Sequence, residues 1–234
     1  MRRVVAPERL DDLPATAPQA IRSRGDLRRL NSLMGHVGIL TRALCLQHRA
    51  NPFGDKPVRL VELGAGDGTL LLKLARRWAA LGVKAEVTLL DRQNLLSPRT
   101  HRAFAALQWP VEVVASDVFT WLESPSPVAD VMLANLFLHH FEDARLAALL
   151  RLAAAKTKVF LACEPRRSPL ALAAARCVAL VGANAVTRHD AVISVRAGFA
   201  GGELSALWPG SVEWELREAA AGLFSHSFIA KRHA

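Results

Sequence analysis

Apolar residues return along this 234-residue chain in two rhythms: short, nearly continuous runs, and longer stretches in which they recur every three or four positions. The first rhythm marks buried strands and the second amphipathic helices. Strands are expected at residues 59–63, 86–91, 112–116, 130–133 and 159–164, with helices at 70–81, 99–107 and 143–155. This alternation predicts a parallel sheet with helices on both faces, because each crossover must return to the same end of the sheet. Residues 212–218 and 224–231 alternate apolar with polar and are joined through Ala219-Ala220-Ala221-Gly222, which predicts an antiparallel pair closing the sheet.

Upstream, Leu27, Leu30, Leu33, Met34, Val37, Leu40, Leu44 and Cys45 predict one amphipathic helix over 26–47, bent at Gly35 and Gly38. Residues 1–24 carry Pro7, Pro14, Pro18 and several charges and read as a loose or partly helical arm. Asn51-Pro52-Phe53-Gly54-Asp55 reads as a turn. Residues 165–210 form an excursion longer than the alternation needs. It holds a helix over 169–182 and then a loop, Thr187-Arg188-His189-Asp190, the densest ionisable cluster of the chain.

The candidate chemistry collects where strands end. Val61-Glu62-Leu63-Gly64-Ala65-Gly66-Asp67-Gly68-Thr69 joins the first strand to its helix through three glycines, whose missing β-carbons let a ligand approach the backbone. Dinucleotide folds use G-x-G-x-x-G at this turn, but here Thr69 holds the last position. The second strand ends at Asp91-Arg92, where a carboxylate can accept from both hydroxyls of a ribose. The third runs into Asp117-Val118, and the fourth into Asn135-Leu136-Phe137-Leu138-His139-His140.

This ordered series resembles the class I S-adenosylmethionine-dependent methyltransferases, most closely their small-molecule branch. The likeness covers residues 57–165 and extends more loosely to the end. It implies a Rossmann-like sheet, mostly parallel with a C-terminal antiparallel strand, a helical cap over 1–50 and a methyltransferase domain over 51–234, with 165–210 as an acceptor-side insertion. It implies S-adenosylmethionine as cofactor. Glu62 would organise the methionine end above the backbone of Gly64, Ala65, Gly66 and Gly68, and Asp91, with Arg92 beside it, would hold the ribose. Asp117 would accept from the adenine amine while Val118 or Phe119 packs on the ring, and Asn135 would lie near the methionyl group. Capping of a neighbouring helix is the alternative task for Glu62, Asp91 and Asp117.

An acceptor hydroxyl has to lose its proton, which neutral histidine can take. His139 and His140 follow the fourth strand and His189 lies in the excursion, so these three are the candidate bases; helix capping, core packing or a local Arg-His-Asp hydrogen bond are their alternatives. Metal-dependent catechol methyltransferases need an Asp-Asn pair after the fifth strand, where this chain has Glu164-Pro165-Arg166, so no metal is predicted. Asn135-Leu136-Phe137-Leu138 also departs from the Asn/Asp-Pro-Pro-aromatic loop of the enzymes that methylate adenine or glutamine.

Composition changes this picture little. With 51% hydrophobic residues the chain can bury one large core. Three scattered cysteines, Cys45, Cys163 and Cys177, lack metal spacing and fit a reduced, cytoplasmic protein. The apolar stretch 169–186 is broken by Arg176 and Asn184 and suits a lid helix better than a membrane span, and no secretory signal opens the chain. The formal charge of +9 is nearly all arginine, a compositional bias more than a sign of a nucleic-acid partner. The expectation is a methyltransferase acting on a small, largely apolar acceptor, by O-methylation of a phenol, enol or acid, in secondary metabolism. An RNA methyltransferase and a cofactor-binding partner without catalysis are the rival readings, and oligomeric state is left open.

Overall fold

The computed structural model describes residues 1–50, 56–125 and 127–233; the turn expected at 51–55 lies outside them. Seven strands form one sheet: β1 Val58–Leu63, β2 Ala85–Asp91, β3 Val111–Ala115, β4 Ala129–Asn135, β5 Thr157–Pro165, β6 Trp214–Ala221 and β7 Ser225–Arg232. Their order is β3-β2-β1-β4-β5-β7-β6, with the first five parallel and β7 antiparallel to both β5 and β6. The order reverses between β1 and β4, the point at which α/β sheets open a crevice beyond their carboxyl ends.

Helices α1 Arg9–Asp12, α2 Pro18–Leu33 and α3 His36–Ala50 precede the sheet; α4 Thr69–Ala79, α5 Pro98–Ala106, α6 Val118–Glu123 and α7 Asp143–Ala155 connect its parallel strands. The excursion carries α8 Pro169–Arg176, α9 Ala185–Ala197 and α10 Glu203–Leu207. Strand alternation sorts the core into two layers. Leu60, Val87, Val131, Leu133 and Leu161 meet α3, α4 and α5 through Leu40, Leu44, Leu74, Trp78 and Phe104. Val61, Met132, Ala134, Phe160 and Phe228 meet α6, α7 and α10 through Leu122, Leu146, Leu150 and Leu204.

Three expectations change. The helix expected over 26–47 is two, α2 and α3, because Gly35 at φ +72° gives the left-handed residue that ends α2. Ala219–Ala221 belong to β6 instead of the connection, and Gly222 at φ +75° makes the turn. His189 sits on α9 rather than on a loop, because Asn184 caps that helix by accepting from the Thr187 N–H at 3.0 Å. Of the loose or partly helical arm expected over 1–24, the structure has the partly helical form, with α1 and the start of α2, and docks the first twelve residues as a strap. Arg3 donates to the carbonyls of Ala197 and Phe141, at 2.8 Å each, and to Asp143, while Asp190 accepts from the N–H groups of Arg9 and Leu10 at 2.9 and 3.0 Å.

Candidate active site

Every parallel strand delivers its terminal polar residue to one edge of the sheet. Glu62 lies within β1, Asp91 ends β2, Asp117 follows β3, Asn135 ends β4 and Glu164 closes β5. Gly64, Gly66 and Gly68 all have positive φ, between 55° and 69°, so the turn from β1 into α4 depends on them. A β-carbon at Gly64 would overlap the Phe137 ring and one at Gly68 the Leu89 side chain, whereas at Gly66 it would meet nothing within 4 Å; the loop is covered at both ends and open in its middle.

The carboxylates around this loop decide what can bind there. Asp91 accepts from the Gly66 N–H at 2.9 Å and from the Gln93 N–H at 3.0 Å. Asp67 accepts from the Thr69 N–H at 3.1 Å and pairs with Arg28 of α2 at 2.7 Å. The amides that would cradle a pyrophosphate are thus occupied by the chain's own acids. Glu62 is 2% exposed, and its Oε2 has no hydrogen-bond partner. Burial, then the charges of Asp67 and Asp91, push its carboxyl well above the usual range. An orphaned buried carboxyl beside two further acids suits a cationic ligand and opposes a phosphate. Asp117, exposed, caps α6 by accepting from the Phe119 and Thr120 N–H groups through Oδ1, the capping task foreseen as its alternative.

The loop after β4 is shaped by Glu164. Its Oε1 accepts from the N–H groups of Phe137 and Leu138 at 3.0 and 2.9 Å, holding the turn that Leu136 enters at φ +51°. Its Oε2 takes His139 Nδ1 at 2.7 Å, and His139 Nε2 meets Glu8 of the strap at 3.2 Å. Burial pushes the His139 imidazole down, but the hydrogen bonds and charges of Glu164 and Glu8 outweigh it and raise the pKa to about 9. Glu8 moves the other way: burial pushes it up, yet His139, His140 and Ser194 bring it to about 2. His139 is therefore an imidazolium fixed between two carboxylates. Both of its ring nitrogens meet carboxylates, as in the core-packing alternative given for it, and His140 is the more open of the two.

His140 stacks on His139 with ring centroids 4.3 Å apart, and its Nδ1 lies 3.3 Å from Asp11 Oδ2. Its side chain is 24% exposed. Asp11 is also 3.7 Å from Arg92. His189, also partly exposed, has its Nδ1 against Asp190 at 2.9 Å, on the shoulder of α9. Beside the histidine loop, Phe137, Phe141 and Phe119 make two edge-on ring contacts at 5.2 and 5.8 Å, a partly buried aromatic wall from Gly64 to α6. Sequence reasoning passed over Glu8, Asp11, Glu164 and His36 as site residues. Glu164 ends a strand as the other acids do, so its position was a usable signal.

The comparisons agree with this geometry. Residues 60–159 match the family model of a methyltransferase domain. No curated protein matches. Among solved structures, the chain is similar to the plantazolicin methyltransferase BamL in complex with a triazolic desmethylPZN analog and SAH, at 13% identity, 95% and 92% coverage of the two chains and a TM-score of 0.63. It is also similar to magnesium protoporphyrin IX methyltransferase (ChlM) from Synechocystis PCC 6803 with bound SAH, at 12% identity, 96% and 91% coverage and a TM-score of 0.55. A putative O-methyltransferase from Nostoc punctiforme PCC 73102 gives 10% identity, 94% and 63% coverage and a TM-score of 0.60. The domain match falls on the parallel part of a sheet of this order, which is a Rossmann-like fold with an acid-lined glycine loop. Within this chain, residues 60–159 carry a methyltransferase domain, and solved structures of this fold hold SAH. Among the described residues, no helix is long and apolar enough to cross a membrane.

Proposed function

We propose that the enzyme methylates an oxygen of a small, largely apolar acceptor, a phenol, enol or carboxylic acid, in secondary metabolism. The observation that carries this reading is the meeting, after β4, of the Phe137–Phe141–Phe119 wall with the partly exposed His140. Its likeness to a putative O-methyltransferase supports the choice of oxygen. Glu62 and the Gly64–Gly68 backbone would hold the methionine end of the cofactor, Asp91 the ribose, and Asp117 with Val118 the adenine. When bound, S-adenosylmethionine supplies an electrophilic methyl group on a positively charged sulfur.

The chain's own residues then position the acceptor and remove its proton. Alignment alone contributes much of the rate, because a lone pair has only to be held behind the methyl group. His140 takes the proton: it is partly exposed, and Asp11, 3.3 Å from its Nδ1, would steady the imidazolium that forms. His189 is the weaker candidate, since it sits on a helix whose inward groups, Asp190 and Ser194, are spent on the strap.

The test is transfer of a labelled methyl group to a panel of phenols, enols and carboxylic acids, with a chelator present and structured RNA as a parallel substrate. Label on the oxygen of a small acceptor is expected, and His140→Ala should lower kcat on a phenol by roughly 10²- to 10⁴-fold with cofactor affinity nearly intact. Label on RNA alone, or on no acceptor, would overturn the proposal.

A further inference from the structure

His36 is the most completely enclosed polar side chain of the N-terminal helices, at 0% exposure, and it belongs to none of the roles assigned so far. It opens α3 directly after the left-handed Gly35, so the helix start aims its ring down into the sheet edge. There it touches two strands. Nδ1 lies 2.7 Å from Asn135 Oδ1 at the end of β4, and Nε2 lies 2.9 Å from Ser225 Oγ at the start of β7.

These partners fix the proton. An amide oxygen only accepts, so Nδ1 carries the hydrogen and donates it to Asn135. Nε2 is then the lone-pair nitrogen and accepts from the Ser225 hydroxyl. Burial keeps the ring neutral by lowering its pKa to about 4, against the opposing pull of the Asn135 hydrogen bond and the Glu164 charge. The consequence falls on Asn135. With its oxygen tied to His36, the carboxamide is held against turning over, so that its N–H₂ rather than its oxygen is the group it can offer elsewhere.

We propose that His36 is a positioning residue for methyl transfer, which locks the Asn135 carboxamide so that its N–H₂ donates to the acceptor oxygen at the reacting edge. The proposal rests on the methyltransferase reading above and adds the N-terminal helices to the machinery. A donor held there steadies the negative charge that grows on an oxygen as its proton leaves, and it needs no reorganisation to do so. Without the lock, the amide can present its oxygen instead, turning a stabilising contact into a repulsive one.

The experiment has two arms, so that failure of the function and failure of this inference separate. The first needs no turnover: ¹⁵N resonances of the imidazole in the full chain should show His36 protonated at Nδ1 and bare at Nε2, with slow exchange of the Asn135 side-chain amide that His36→Phe removes. The second compares kcat and the affinity for S-adenosylhomocysteine. His36→Phe should lower kcat on the order of ten- to a hundredfold with nucleoside affinity within about twofold, while His36→Gln, which keeps an N–H donor, should recover most of the loss. Should His36→Phe fail to fold, Ser225→Ala, which frees the tautomer, is read in the same two ways. An Nε2-protonated ring, or full turnover in His36→Phe, would overturn the proposal even in an active enzyme.

Discussion

At the scale of single residues, Glu62 shows how a charge can be stored in the core. Its carboxyl is buried with one oxygen unpaired, and burial, then the charges of Asp67 and Asp91, push its pKa well above the usual carboxylate range and favour the protonated form. A cationic amino-acid end brought against it restores the charged form, so cofactor binding should expel a proton. Calorimetry in buffers of different ionisation enthalpy should detect that proton at pH values below the raised pKa, where affinity climbs with pH, and Glu62→Gln should abolish both effects. Equal proton release by the parent and the variant would remove Glu62 from this role. Glu62, Asp91 and Asn135 were legible in the sequence because each interrupts or ends an apolar strand run. His36 was not, because helical periodicity reports which face is buried and says nothing of a polar group that finds its partners 99 and 189 residues away.

Among elements, the strap formed by residues 1–12 is the one most sensitive to solution conditions. His139 and Glu8 join it to the loop after β4, and their pKa shifts define when the joint holds. For His139 the folded value, about 9, exceeds the ordinary 6.5, so its contribution is complete below about 6.5 and lost as pH rises through 9. For Glu8 the folded value, about 2, lies under the ordinary 4.5, so its contribution is complete above 4.5 and lost as pH falls through 2. Stability should therefore be greatest between about pH 4.5 and 6.5 and decline toward pH 9 by several degrees of melting temperature, with the alkaline slope flattened in His139→Gln. A melting temperature that is level from pH 6 to 9 in the parent would contradict it. Sequence patterning missed this element for a physical reason: its hold is polar and long-range, through Glu8, Arg3 and Asp190, and carries no apolar period.

For the whole molecule, the parallel sheet and its two helix-covered faces followed from alternating strand and helix runs, since each crossover must return to the same end, whereas the strand order came only with the structure. The interior of the excursion did not, because α8, α9 and α10 are short and their ends depend on caps such as Ser168 and Asn184. A ligand of the folded site stabilises the entire domain by mass action. S-adenosylhomocysteine at about a hundred times its Kd should add about 2.7 kcal/mol, a rise of roughly 5 to 10 °C in melting temperature. A nicotinamide dinucleotide at the same concentration should give none, because Asp67 and Asp91 occupy the loop amides its pyrophosphate needs. The reverse outcome would reject the cofactor assignment.

The strap also sets the order of events during folding. Its partners Ser194, Arg196 and Ala197 lie 186 to 194 residues further along the chain. Others, His139, Phe141 and Asp143, follow β4, so the docking site is complete only when that loop and α9 have packed together. Closing so long a loop is entropically costly, so the strap is expected to dock after the rate-limiting barrier. Contacts made that late govern how fast the native state comes apart and leave the speed of its formation untouched. Arg3→Ala and Glu8→Ala should thus speed unfolding and leave the folding rate near the parent's, and a denaturant chevron in which folding slows instead would place the strap in the folding nucleus.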